Sequence, residues 1–280
     1  MKHAFLILAH KNFSQLMQMI AALQSKKSLF FVHIDKKSEM LRHISQAMIE
    51  SPSNIMLSDR QVNVNWGGFS MIEATVCLMN MLRDSGVCAD YVHLLSGQDL
   101  PLCPPQEIDL FFENNYGKNF MEYHTIPCKG WENNGGLDRI NYKWDVDGGE
   151  TDRAKLESRP FLTDIHPYGG SQWWSLTGEC VEWMISMCHS GNLLYDFYRN
   201  TNIPDEMLFQ TAIMHSPFAT TVVNDNLRYI NWTDGPEYPR ILRNEDWDKL
   251  RCSGKLFARK FDICKDANIM NKILIHNLNT

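Results

Sequence analysis

Leu29-Phe30-Phe31-Val32-His33-Ile34-Asp35 is the stretch on which the fold class turns. A largely apolar run rich in aromatic and β-branched residues, interrupted only by His33 and stopping at a carboxylate, reads as a buried strand. Upstream, Ala4–Ala9 is a second such strand. Between the two, Phe13, Leu16, Met17, Ile20 and Leu23 recur at the three- and four-residue spacing of a helix with one apolar face. Downstream, the pattern predicts a helix over Glu39–Ile49, a short strand over Asn54–Leu57 and a helix from Ser70 to about Met81, where Ser70-Met71-Ile72-Glu73 has capping-box spacing. Tyr91–Leu95 is another strand, broken at Ser96-Gly97-Gln98-Asp99, and Pro104-Pro105 opens a helix through Phe112. Strand and helix thus alternate over roughly the first 100 residues, as a parallel α/β sheet requires. Ligands bind such sheets beyond the carboxyl ends of the strands, which places His10, Asp35 and the Ser96–Asp99 turn along one potential crevice.

The remainder differs in character. Residues 115–175, rich in Gly, Asn, Asp and aromatics, predict long loops and short strands. Helices resume at about Glu179–Cys188 and Asp205–His215, and roughly the last 60 residues mix short strands with loops. No repeat or linker divides the chain, so one compact domain is expected. Its 280 residues, 44% apolar and 21% charged, suit a globular protein with a substantial core. A formal charge of −6 argues against a general nucleic-acid binder, because neutralising phosphates needs a basic face. No apolar run approaches the ~20 residues that span a bilayer, and the N-terminus lacks a signal-peptide pattern. The expected location is the cytoplasm, and the eight scattered cysteines, without a C-x-x-C pair, read as small buried hydrophobes of a reducing compartment.

Several chemistries are missing. Gly67-Gly68 and Gly135-Gly136 fit neither the P-loop nor the dinucleotide fingerprint, there is no G-x-S-x-G elbow, and no histidine spacing marks a zinc site. Two acidic pairs, Asp145-Val146-Asp147 and Asp246-Trp247-Asp248, have the D-x-D spacing that holds a metal-bound diphosphate, but neither follows a central strand, and both read as solvated loops. Without a metal, a departing nucleotide needs fixed cations. Arg240 and Lys260 are candidates for that role, and each taken alone is equally a surface charge. Pro204-Asp205-Glu206 stands before the apolar Met207, Leu208, Phe209, Ala212 and Ile213. Its carboxylates serve either the helix start or, in Glu206, a general base held on a rigid element. Trp173 and Trp174 are neighbours on a probable strand and so face opposite sides, one toward the core and one free to stack on a sugar. Tyr229 and Trp232 are further candidates for apolar sugar faces.

The stretches Leu8-Ala9-His10-Lys11, Val32-His33-Ile34-Asp35-Lys36-Lys37-Ser38, Trp66-Gly67-Gly68-Phe69-Ser70, Leu94-Leu95-Ser96-Gly97-Gln98-Asp99-Leu100-Pro101, Gly170-Ser171-Gln172-Trp173-Trp174, Pro204-Asp205-Glu206 and Leu256-Phe257-Ala258-Arg259-Lys260-Phe261-Asp262 follow one another over nearly the whole chain. In this order they resemble glycosyltransferase family 14, which contains the core-2 and I-branching β-1,6-N-acetylglucosaminyltransferases and the peptide O-xylosyltransferases. The resemblance implies an α/β, GT-A-type nucleotide-sugar transferase fold with a Rossmann-like N-terminal half and a mixed central sheet. The single domain 1–280 would bind nucleotide through about 1–115 and acceptor through about 116–280, the half that also carries catalysis. Inversion at the anomeric carbon is implied, with Glu206 as base and with Arg240 and Lys260 replacing the metal. Arg243 is a rival to Arg240, because the chain is shortened between the two cations.

On the same resemblance Glu122 and Arg139 contact the acceptor sugar, while His10, His33, Asp35, Ser96 and Asp99 lie on the UDP side. The expected reaction moves N-acetylglucosamine from a UDP-sugar to a hydroxyl of a glycan or glycolipid, the latter bringing the enzyme to a membrane surface. UDP-xylose is the alternative donor, and a non-catalytic carbohydrate-binding protein on the same fold is the alternative of another class. No cofactor is expected, since the UDP-sugar is a co-substrate and no metal is required. The lack of a stem and anchor points to a bacterial, cytoplasmic member.

Overall fold

A computed structural model describes residues 1–41, 54–235 and 238–279. Four strands open the chain: β1 (His3–Ala9), β2 (Ser28–Ile34), β3 (Ile55–Leu57) and β4 (Tyr91–Ser96). They pair in parallel in the order β4-β1-β2-β3, with Ile7 opposite Val32 on one side and Leu95 on the other. β5 (Asp99–Pro101), β6 (Asn119–Met121), β7 (His124–Thr125), β8 (Tyr168–Gly169), β9 (Trp174–Thr177), β10 (Val222–Val223), β11 (Arg228–Ile230) and β12 (Phe257–Arg259) follow. The main sheet has seven strands in the order β10-β6-β9-β4-β1-β2-β3, and β9 runs antiparallel to both β4 and β6. A smaller sheet, β11-β12-β5, and the β7-β8 pair complete the framework. The result is an α/β fold with a parallel N-terminal half and a mixed central sheet.

Period-two alternation distributes the apolar run of each strand over two cores. Leu6, Phe31, Leu94 and Trp174 face Ile72 and Leu78 of α2 (Ser70–Asp84) and Met184 of α4 (Gly178–Met187). Phe5, Ile7, Phe30 and Val32 face Leu16 and Ile20 of α1 (Phe13–Ala22), Phe112 of α3 (Pro105–Asn114) and Ile273 of α6 (Ala267–Asn279). Each such side chain contributes about 1.5–3 kcal/mol on leaving water.

One polar residue bridges the sheets. Arg228 on β11 is buried and donates to Ser175 Oγ (2.9 Å), Leu94 O (3.0 Å), Trp174 O (2.7 Å) and Asn226 O. Burial pulls its guanidinium down to about 9, against the opposing pull of Asp99.

Three expectations change. The capping box at Ser70 does not form. Instead Asp147, from a loop distant in sequence, accepts from the Ser70 backbone N–H (2.9 Å) and hydroxyl (2.6 Å). The expected helix over 205–215 is split, because Pro204–Glu206 is a 3₁₀ turn and α5 (Leu208–Met214) begins only after Met207 departs from helical geometry at φ −138. The C-terminal region, read as strands and loops, ends in the helix α6, held by buried Ile269, Met270 and Ile273. The helix expected over Glu39–Ile49 falls from residue 42 onward outside the described residues. All eight cysteines are free, but only Cys180 and Cys188 are buried as expected, and Cys88, Cys252 and Cys264 are exposed. Among the described residues no helix is long and apolar enough to cross a membrane.

Candidate active site

The carboxyl ends of β1, β2 and β4 open into a cleft of about 1070 Å³. His10, Asp35 and Ser96 line it, each at or just past the end of its strand. Asp35 Oδ1 accepts from the Lys37 backbone N–H (2.9 Å), and Ser96 closes its turn on Asp99. His33 also lines the cleft, and its Nε2 accepts from the Val62 N–H at 2.9 Å, which fixes the neutral tautomer. His10 is pushed down in pKa by burial and by the Lys11 and Lys260 charges, so a neutral imidazole faces the cleft.

Glu206 sits at the end of its 3₁₀ turn, entered through Ile203 in the left-handed region at φ 51. Its backbone oxygen accepts from Gly170 (2.9 Å), and its Oε2 accepts from Arg139 Nη1 (2.8 Å). Both side chains are partly exposed to the cleft, at 28% for Glu206 and 19% for Arg139. The neighbouring Asp205 is buried, and burial together with the Glu206 charge raises its carboxyl to about 7. Glu122 lines the same region, accepts from Asn226 Nδ2 (2.8 Å), and is raised by burial and by Glu206 and Asp225. Trp232, about half exposed, stands at the rim with Trp66 and Tyr238, whose rings lie 5.6 Å apart.

The cations are arranged differently from expectation. Lys260 lines the cleft, and its pKa is lowered by burial and by the neighbouring Arg259 and Lys11. Arg240 does not line it, being engaged by Glu245 and by Asp246 at 3.6 Å. Arg243 is likewise absent from the lining and starts the turn Asn244–Asp246. Arg259, which sequence reasoning passed over, stands beside Lys260 in the cleft. Its guanidinium lies 3.9 Å from the Trp173 ring centre and 3.7 Å from Asp99, and its buried Nε and Nη1 have no hydrogen-bond partner. The available signal was a pair of consecutive cations ending a strand.

Four aromatic or acidic assignments therefore move. Asp99 is fully buried behind Arg259, where burial raises its carboxyl, and supports the cation from outside the cleft lining. Trp174 is wholly in the core, whereas Trp173 carries the Arg259 guanidinium on its face and so is not an open sugar platform. Tyr229 alternates with the cleft residue Ile230 on β11 and packs toward the second core. The two D-x-D pairs serve loops. Asp147 caps α2, Asp145 accepts from Gly148 N–H (3.0 Å), and Asp246 accepts from Arg243 N–H (2.9 Å). Among the described residues no group of three or more His, Cys, Asp or Glu side chains is placed to hold a metal ion.

The family model "Branch: Core-2/I-Branching enzyme" matches residues 3–251. The chain belongs to the Core-2/I-branching family. Within this glycosyltransferase family, xylosyltransferase 2 of Canis lupus familiaris is 27% identical over 98% of this chain and 33% of its own length. Xylosyltransferase oxt of Drosophila melanogaster is 25% identical over 92% of this chain and 31% of its own. The chain thus spans about a third of the length of the curated relatives it matches. Among solved structures, mouse xyloside xylosyltransferase 1 in its apo form aligns with a TM-score of 0.40 at 11% identity, covering 91% of this chain and 97% of that one.

Proposed function

We propose that this Core-2/I-branching protein is an inverting glycosyltransferase acting on a UDP-sugar in a single displacement. The observation that carries the reading is a carboxylate, Glu206, held by Arg139 in a cleft that also contains Lys260 and the hydrogen-bond-deficient Arg259. Glu206 takes the proton of an acceptor hydroxyl, the oxygen attacks C1 of the donor sugar, and the bond from C1 to the diphosphate oxygen breaks. The charge left on UDP meets Lys260 and Arg259, fixed donors in a partly desolvated site. Arg240 would have to exchange its acidic partners to join them. Asp35 and the ends of β1, β2 and β4 hold the uridine portion, and Glu122 and Trp232 meet the acceptor. The volume of the cleft is at the upper end of small-ligand sites, which suits two substrates bound together.

The names of the matched relatives favour xylose over N-acetylglucosamine as the sugar moved. A donor-hydrolysis screen across UDP-sugars, followed by an acceptor-glycan array, decides between them. General-base catalysis supplies ~10²–10⁴-fold. Glu206→Gln is expected to lower turnover by that factor and leave UDP affinity within about twofold. Near-wild-type transfer by this variant would remove Glu206 from the chemistry.

A further inference from the structure

The base is held by a residue that is itself held. Arg139 lies on the helical turn Leu137–Ile140, and its guanidinium carbon is 3.9 Å from the centre of the Trp131 ring. A long arginine side chain retains considerable rotamer freedom unless something fixes it, and the face of an indole is the strongest aromatic platform for a cation. Trp131 is built into place. The edge of the His124 ring meets it at 4.6 Å and 82°. Its other neighbours are Gly136 and Gly169, where a Cβ would stand 2.6 Å from the indole, too close for any side chain. The Trp131 backbone N–H donates to Cys128 O (3.1 Å), and the Arg139 carbonyl accepts from the Asn202 backbone N–H (3.3 Å) just ahead of the Glu206 turn. Two glycines, a tryptophan, an arginine and a glutamate therefore form a continuous packed series that ends on the Oε2 atom of Glu206.

We infer that Trp131 is a positioning residue for the base, acting on Glu206 through Arg139. The inference rests on the reading of Glu206 as base and adds what holds its carboxylate in line. A misplacement of about 1 Å in a reacting group can cost ~10²-fold in rate. Losing the platform should thus act on turnover and leave UDP binding alone.

The experiment compares wild type with Trp131→Leu, Trp131→Phe, Glu206→Gln and the double variant Trp131→Leu/Glu206→Gln. UDP release from UDP-xylose and from UDP-N-acetylglucosamine, with water as acceptor, gives kcat and KM, and calorimetry with UDP gives Kd. Trp131→Leu is expected to lower kcat by about 10- to 100-fold with UDP Kd within about twofold. Trp131→Phe, which keeps an aromatic face, is expected to recover most of the loss. In the Glu206→Gln background the leucine change is expected to cost nothing more. Unchanged kcat in Trp131→Leu overturns the inference, as does an equal loss in both backgrounds or a parallel loss of UDP affinity. Near-wild-type release by Glu206→Gln instead overturns the base assignment itself, so the two failures are distinguishable.

Discussion

Replacing Lys260 with methionine removes a cation while keeping most of the side-chain length. In the free protein this ammonium is half-buried beside Arg259 and Lys11, and those neighbours, with burial, disfavour its charged form. Its loss should leave the free protein's Tm unchanged or slightly raised. Bound UDP reverses the sign. A hydrogen bond to a charged oxygen contributes about 1.5–3 kcal/mol, so the variant should bind UDP about 10- to 100-fold more weakly. With UDP at about 100 times the wild-type Kd, wild type gains about 2.7 kcal/mol of stability. At the same concentration the variant gains about 0.4–1.4 kcal/mol. For a chain of 280 residues the unfolding entropy is about 0.6 kcal/mol per degree, so these gains are Tm shifts of about 4–5 °C and about 1–2 °C. Thermal scanning with and without UDP reads both quantities. A free-protein Tm several degrees below wild type would make Lys260 a structural residue, and an undiminished UDP shift would remove it from the phosphate site.

Other perturbations follow from the same geometry. Asp205, raised to about 7 in the fold from an ordinary carboxyl value of 3.8, gives stability that is full below about pH 4 and is lost as pH rises through about 7. Asp205→Asn should therefore gain about 2–3 kcal/mol on wild type between pH 5 and pH 8 in urea unfolding. A flat difference would place the charged carboxylate in the fold. Arg228→Met removes the buried donor to the carbonyls of Leu94 and Trp174 and leaves the Ser175 hydroxyl with its His93 Nδ1 partner alone, and should cost about 3–5 kcal/mol by denaturant titration. A loss under 1 kcal/mol would mean that solvent or repacking replaces those bonds. Sugar transfer should persist in excess chelator, and complete loss restored by Mn²⁺ would direct attention to Asp35 and Glu122, carboxylates that line the cleft.

Local periodicity was sufficient for β1, α1, β2 and β4, because strands buried on both faces leave long apolar runs and helices leave a stripe. It could not find the Asp147 cap on α2, which depends on a contact between residues 77 positions apart. Nor could it separate the Pro204–Glu206 turn from α5, since the break is one backbone angle at Met207. For the site, Glu206, Lys260 and the strand-end residues His10 and Asp35 were legible from motif and topology together. Arg259, inside the stretch Leu256-Phe257-Ala258-Arg259-Lys260-Phe261-Asp262, was hidden because its significance lies in what surrounds it, an indole below and a buried carboxyl behind. Trp174 and Tyr229 were over-read for the opposite reason. An aromatic residue advertises a sugar platform, while strand parity alone decides which way it points.

The antiparallel strand β9, lodged between β4 and β6, has an evolutionary corollary. The edge of β4 is completed by Trp174–Thr177, so a fragment ending near residue 115 would present an unpaired, apolar sheet edge, a template for aggregation. On the proposed reading, exchanging the donor-binding half alone between relatives would break the pairing of β4 with β9. Chimaeras aimed at changing either substrate should therefore graft loops that line the cleft onto an intact sheet.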